Sequence, residues 1–88
     1  MTYTVIVKKS VLKEMQKIPR QFRARIWSEL RKLEKEPFPQ SSKKILGYDH
    51  MYRIKAAKDY RIVYEIMKKI LTITIIRIRH RKDAYKEM

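Results

Sequence analysis

The chain opens in strict alternation. Thr2-Tyr3-Thr4-Val5-Ile6-Val7 is β-branched and aromatic, with Tyr3, Val5 and Val7 on one parity, and predicts a strand. The period then changes. Val11, Met15 and Ile18 fall at i, i+4 and i+7 behind Ser10, a candidate N-cap, and predict a short amphipathic helix that Pro19 ends. From Arg20 to Glu36 the stripe Phe22, Ile26, Leu30, Leu33 predicts a second helix, stopped by Pro37. Two helices so closely joined predict an antiparallel hairpin. Pro37 to Lys44, rich in Pro, Ser and Lys, reads as a loop. After Tyr48 the alternation returns in three runs, Met51 to Ala56, Tyr60 to Met67 and Ile70 to Arg79. The order strand, two helices, three strands predicts one α+β domain over residues 1–88, its helical hairpin covering one face of a three-stranded antiparallel meander.

Register then sorts the charges. With Ala57-Lys58-Asp59 as the loop, Ala56 faces Tyr60 and Ile54 faces Ile62, so the even positions pack on the helices. Arg53, Lys55 and Arg61 stand together on the open face. In the last run the apolar parity Leu71, Ile73, Ile75 changes to Ile76 and Ile78, which predicts a bulge at 75–76. Past it, Ile76 and Ile78 are expected in the core, while Arg77 and Arg79 join the basic face and Arg81 and Lys82 follow. Glu65 alone clearly interrupts that face. Tyr60 and Tyr64 share parity with the core isoleucines and read as packing, Trp27 as a core-edge residue, His50 as a loop residue. The cations of the second helix read as a solvated face.

Composition sharpens this. In 88 residues, 23 Lys+Arg against 9 Asp+Glu leave a net charge of +14, a field that attracts polyanions. One surface reading is a solvated, ion-paired cationic face; the other is a phosphate-binding face, and like charges gathered with only Glu65 among them favour the second. The absence of cysteine excludes disulfides, thiolate metal sites and thiol nucleophiles. Two histidines and nine scattered acids argue against a metal. The single glycine argues against a glycine-rich phosphate cradle, so any phosphate is held by side chains. No apolar run reaches the length of a membrane span and no signal segment is evident, so a soluble cytoplasmic protein is expected.

Three stretches together, Tyr52-Arg53-Ile54-Lys55, Asp59-Tyr60-Arg61-Ile62-Val63-Tyr64 and Arg79-His80-Arg81-Lys82-Asp83-Ala84-Tyr85, resemble the RelE/ParE superfamily of toxins over nearly the whole chain. The C-terminal motif is closer to the RelE branch. The resemblance implies a toxin that enters the ribosomal A site and cleaves messenger RNA without metal or cofactor, the 2′-hydroxyl attacking the adjacent phosphate. It implies as partners the ribosome, the message and a cognate RelB-like antitoxin, helical and acidic, that masks the basic surface.

Carried over by motif, the working positions are Arg53, Lys55, Arg61, Arg81 and Tyr85, with His80 the residue other branches use. Arg61 and Arg81 suit the phosphorane, since a guanidinium holds two oxygens at once. Lys55, set among cations, is a candidate base or a plain phosphate contact. His80 is a candidate acid or base, Tyr85 a stacking group or proton donor. Arg53, Arg77, Arg79 and Lys82 are expected to bind phosphate. Relatives commonly carry a glycine before Asp-Tyr-Arg and another before His-Arg, where this chain has Ala56-Ala57-Lys58 and Arg79. Two other functions compete: a ParE-like inhibitor of DNA gyrase acting by protein–protein contact, and a relative that occupies RNA or the ribosome without cutting.

Overall fold

The structure is a computed structural model that describes residues 2–84, and side chains as far as Lys82. Five strands and three helices follow in the order β1 (Thr4–Val7), α1 (Lys9–Gln16), α2 (Arg20–Lys35), β2 (Lys43–Lys44), β3 (Met51–Ala56), β4 (Tyr60–Met67), β5 (Thr72–His80) and α3 (Arg81–Ala84). They form one mixed sheet, ordered β1-β5-β4-β3-β2. The meander β3-β4-β5 is antiparallel, and β1 runs parallel to β5 on its outer side, Val5 beside Ile73 and Val7 beside Ile75. The α+β class and the meander are as the alternation predicts.

Several local expectations are corrected. The stretch Pro37–Lys44 is not wholly loop: Lys43 and Lys44 pair antiparallel with Arg53 and Tyr52, a fifth strand too short to show any period. The N-cap of α1 is Lys8, whose carbonyl accepts the N–H groups of Val11 and Leu12 at 3.0 Å, while Ser10 lies inside the first turn. The final strand starts two residues late, because Lys68–Ile70 form a 3-10 turn closed by Leu71 in the left-handed region (φ 48°). The helices also spend their apolar stripes on the sheet rather than mainly on each other, α1 against β5 and α2 against β1 and β3.

The core lies between those helices and the face of the sheet that carries the even positions of β3 and β4 and, before the bulge, the odd positions of β5. Val11, Met15 and Ile18 meet Ile26, Leu30 and Leu33 over Ile54, Ile62, Tyr64, Ile66, Ile73, Ile75 and Ile78. Tyr64 is fully buried, and its hydroxyl donates to the carbonyl of Pro37 at 3.1 Å, tying the chain after α2 to the sheet. Burial pushes this phenol up to about 12.

Candidate nucleic-acid interface

The three-residue turn Ala57-Lys58-Asp59 sets the register that builds the open face: Ala56 pairs with Tyr60, Ile54 with Ile62 and Lys55 with Arg61. Across the next seam Arg61 pairs with Arg79 and Val63 with Arg77, then Tyr64 with Ile75. Ile76 is thus the extra residue of a bulge, which moves β5 by one position and turns Arg77 and Arg79 to the open face. Ile78 enters the core at 2% exposure; Ile76 does not, and stays half-buried because the extra residue of a bulge has no partner opposite it.

Two cross-strand rows of cations result. One runs Lys43, Arg53, Val63, Arg77, the other Lys55, Arg61, Arg79. Val63 shares this open face yet is buried, flanked in register by Arg53 and Arg77, whose aliphatic stems can shield it. A cleft of about 40 Å³ opens among Ser41, Lys43, Arg53, Lys55 and Arg61. Lys43 and Ser41 belong to the cleft only because β2 adds to the sheet edge, and a two-residue strand offers no sequence signal for it.

Arg61 is the centre of the arrangement. It is only 8% exposed, and among the described residues its guanidinium donates one bond, to the carbonyl of Tyr60 at 3.1 Å. A guanidinium carries five N–H donors, and a buried charge without a counter-ion is costly. With Lys55 and Arg79 as its cross-strand neighbours, this guanidinium lies in a cationic setting suited to an anion. Arg79 is partly neutralised: its Nε lies 2.8 Å from Glu14 Oε2, an ion pair rather than an aligned hydrogen bond. Arg81 begins α3 at the end of this row. Its N–H donates to the Asp59 carbonyl at 2.7 Å, and its Nε lies 3.7 Å from the Asp59 carboxylate, so the turn before Tyr60-Arg61 holds the C-terminal motif in place.

His80 is not brought to this face. It pairs with Tyr60 on the helix side, where the two rings meet edge-on at 5.4 Å, and its Nδ1 accepts the N–H of Lys82 at 3.3 Å. The bulge that turns Arg77 and Arg79 outward necessarily turns His80 inward. Lys82 is exposed beyond the strand end, and Tyr85 lies outside the described residues. Trp27 and Tyr60 are half-buried at the core edge and His50 lies in the turn before β3, as expected. Among the described residues no group of acids, histidines or cysteines could hold a metal, and no helix is long and apolar enough to cross a membrane.

The family described as the ParE toxin of the type II toxin–antitoxin system parDE matches this chain over residues 5–85. The chain belongs to that RelE/ParE family of toxins. An Escherichia coli protein described as a RelE-like toxin is 31% identical, over 97% of this chain and 92% of its own length. Among solved structures, the toxin chain in an archaeal RelE–RelB complex from Pyrococcus horikoshii superposes with a TM-score of 0.79 at 31% identity, covering 94% of this chain and 99% of that one. A RelB–RelE antitoxin–toxin complex from Methanococcus jannaschii gives 0.75 at 28%, covering 94% and 98%. The RelBE2 complex of Mycobacterium tuberculosis, at 24% identity, shares the fold with a TM-score of 0.81 over 94% of this chain and 95% of that one. This toxin therefore matches a family described by ParE and individual relatives described as RelE.

Proposed function

We propose that this toxin is a metal-free endoribonuclease that cleaves messenger RNA in the ribosomal A site, and that a RelB-like antitoxin, helical and acidic, covers its basic face. The observation that supports this best is the nearly buried Arg61 between Lys55 and Arg79, a cluster of cations at the cleft on the open face. In the reaction the 2′-hydroxyl loses its proton as O2′ bonds to phosphorus. The P–O5′ bond then breaks and the 5′-oxygen takes up a proton, leaving a 2′,3′-cyclic phosphate and a 5′-hydroxyl. Arg61 and Arg81 hold the phosphorane oxygens, and Arg53 and Lys43 anchor a neighbouring phosphate. Lys55, exposed at the cleft, is the candidate base at the 2′-hydroxyl. Tyr85 supplies the proton or stacks on a base, a role carried by the family resemblance. His80, on the other face, takes no part.

The test is primer extension on a defined message with programmed ribosomes and with naked RNA. A new 5′ end inside the A-site codon, seen only with ribosomes, is expected, and Arg81→Ala should lower its yield on the order of 10²–10³-fold while antitoxin binding persists. A second reading, gyrase inhibition, draws on the ParE description of the matching family. It requires no cleavage in either tube, inhibited supercoiling, and toxicity that survives Arg81→Ala.

A further inference from the structure

We propose that the groove between α1 and the open outer edge of β5 is a second nucleic-acid contact, which carries the phosphate backbone of bound RNA off the sheet face and onto α1. The inference rests on the RNA reading above and extends it to a surface outside the cleft. The groove exists because β1 is short. Its last residue, Val7, pairs with Ile75, so from Ile76 onward the outer edge of β5, opposite β4, has no strand beside it and α1 lies there instead. Lys8, Lys13 and Lys17 line the α1 side; Arg77 and Arg79 line the β5 side.

Among the described residues the groove has one acid, Glu14, and it is engaged: it accepts the Ile78 N–H through Oε1 at 3.1 Å and meets Arg79 through Oε2. That carboxylate replaces the missing strand partner of Ile78 and draws Arg79 over the sheet edge toward α1. The three lysines are exposed, and Lys13 and the C-cap Lys17 sit about one helical turn apart at the C-terminal end of α1.

Charge and composition select the occupant. Among the described residues Ile76 is the groove's single apolar side chain, whereas the centres of protein interfaces are apolar and aromatic and are depleted in lysine. Flexible cations without an apolar centre suit a phosphate backbone. The path is also continuous, because Arg77 and Arg79 belong by register to the two cationic rows of the sheet and also line the groove.

The experiment measures binding of 2′-O-methyl RNA, whose blocked 2′-hydroxyl cannot react, by fluorescence anisotropy across a salt series. Wild type is compared with the double variant Lys13→Gln, Lys17→Gln and with Lys55→Gln, each checked by thermal melt. On an oligomer of about 12 nucleotides the double variant should lower the salt slope by about 1.4, two phosphate contacts on a single strand; on one of about 4 it should match wild type. An unchanged slope in the double variant, with weakened binding in Lys55→Gln, overturns the groove and leaves the cleft reading standing. Absence of RNA binding by wild type overturns the groove, while primer extension with programmed ribosomes decides the cleft reading separately. Loss of affinity for polyglutamate alone, with RNA unaffected, makes the groove a protein-docking face and also overturns the proposal.

Discussion

Tyr64 shows how one buried polar atom couples the core to solvent conditions. Its hydroxyl is inside the protein, bonded to the Pro37 carbonyl, and its ionisation is pushed up to about 12 from an ordinary 10.0 by burial. The folded state therefore holds this proton more tightly than the unfolded chain does. The stability that follows is fully present below about pH 10 and is lost as pH rises toward 12, roughly 2–3 kcal/mol over that window. Tyr64→Phe should flatten this alkaline limb in denaturant melts, while losing about 1 kcal/mol at neutral pH with the hydrogen bond. A limb of equal steepness in the variant would assign the alkaline transition to other groups. The sequence marks Tyr64 as a core residue by its parity with Ile62 and Ile66, but says nothing of Pro37, which lies 27 positions away and meets it only in the fold.

At the scale of elements, the turn between β3 and β4 is strained. Ala57 and Lys58 have φ of 47° and 68°, the left-handed region that costs an L-residue about 1–2 kcal/mol. Lys58→Gly should relieve part of this and raise Tm by several degrees in a calorimetric scan. A lowered Tm would mean that the Lys58 side chain contributes more than its backbone costs. The bulge in β5 makes a stronger claim. Deleting Ile76 should restore an uninterrupted ladder and leave every later residue on its present face, because Ile75 and Arg77 already pair with the consecutive residues Tyr64 and Val63. The expected outcome is a chain that still folds, read as a retained cooperative melt, whereas inserting one residue after Ile76 should send Arg77 and Arg79 toward the core and abolish it. A deletion variant without a cooperative melt would show that the bend of the bulge itself is required for packing. The bulge was legible because two apolar residues in a row precede alternating arginines. The pairing of Lys43 with Arg53 was not, because two residues carry no period.

At the scale of the whole molecule, a net charge of +14 on 88 residues makes self-repulsion a term in folding itself. Raising salt from about 0.05 to 0.5 M shrinks the screening length to a few ångströms and should raise Tm, while the same change weakens nucleic-acid binding steeply. Stability and binding moving in opposite directions is the signature of a surface whose cations are arranged for a ligand. If Tm stayed flat across that range, the charges would already be neutralised within the protein.

The division between sequence and tertiary structure follows from the range of the forces involved. Parity and helical period are local, so the strands β3 and β4, both long helices, the bulge, and the gathering of Arg53, Lys55, Arg61, Arg77 and Arg79 on one face could be derived from neighbours in the chain. That His80 faces inward is also implied by the bulge once register is followed one step further. Non-local events were beyond that reach: where β1 docks, how β2 extends the cleft with Lys43, and how Glu14 reaches Ile78 and Arg79 across 64 and 65 positions. Only packing decided that Arg61 would be nearly buried among cations, because burial depends on what the rest of the chain places above a residue, and no local pattern encodes it.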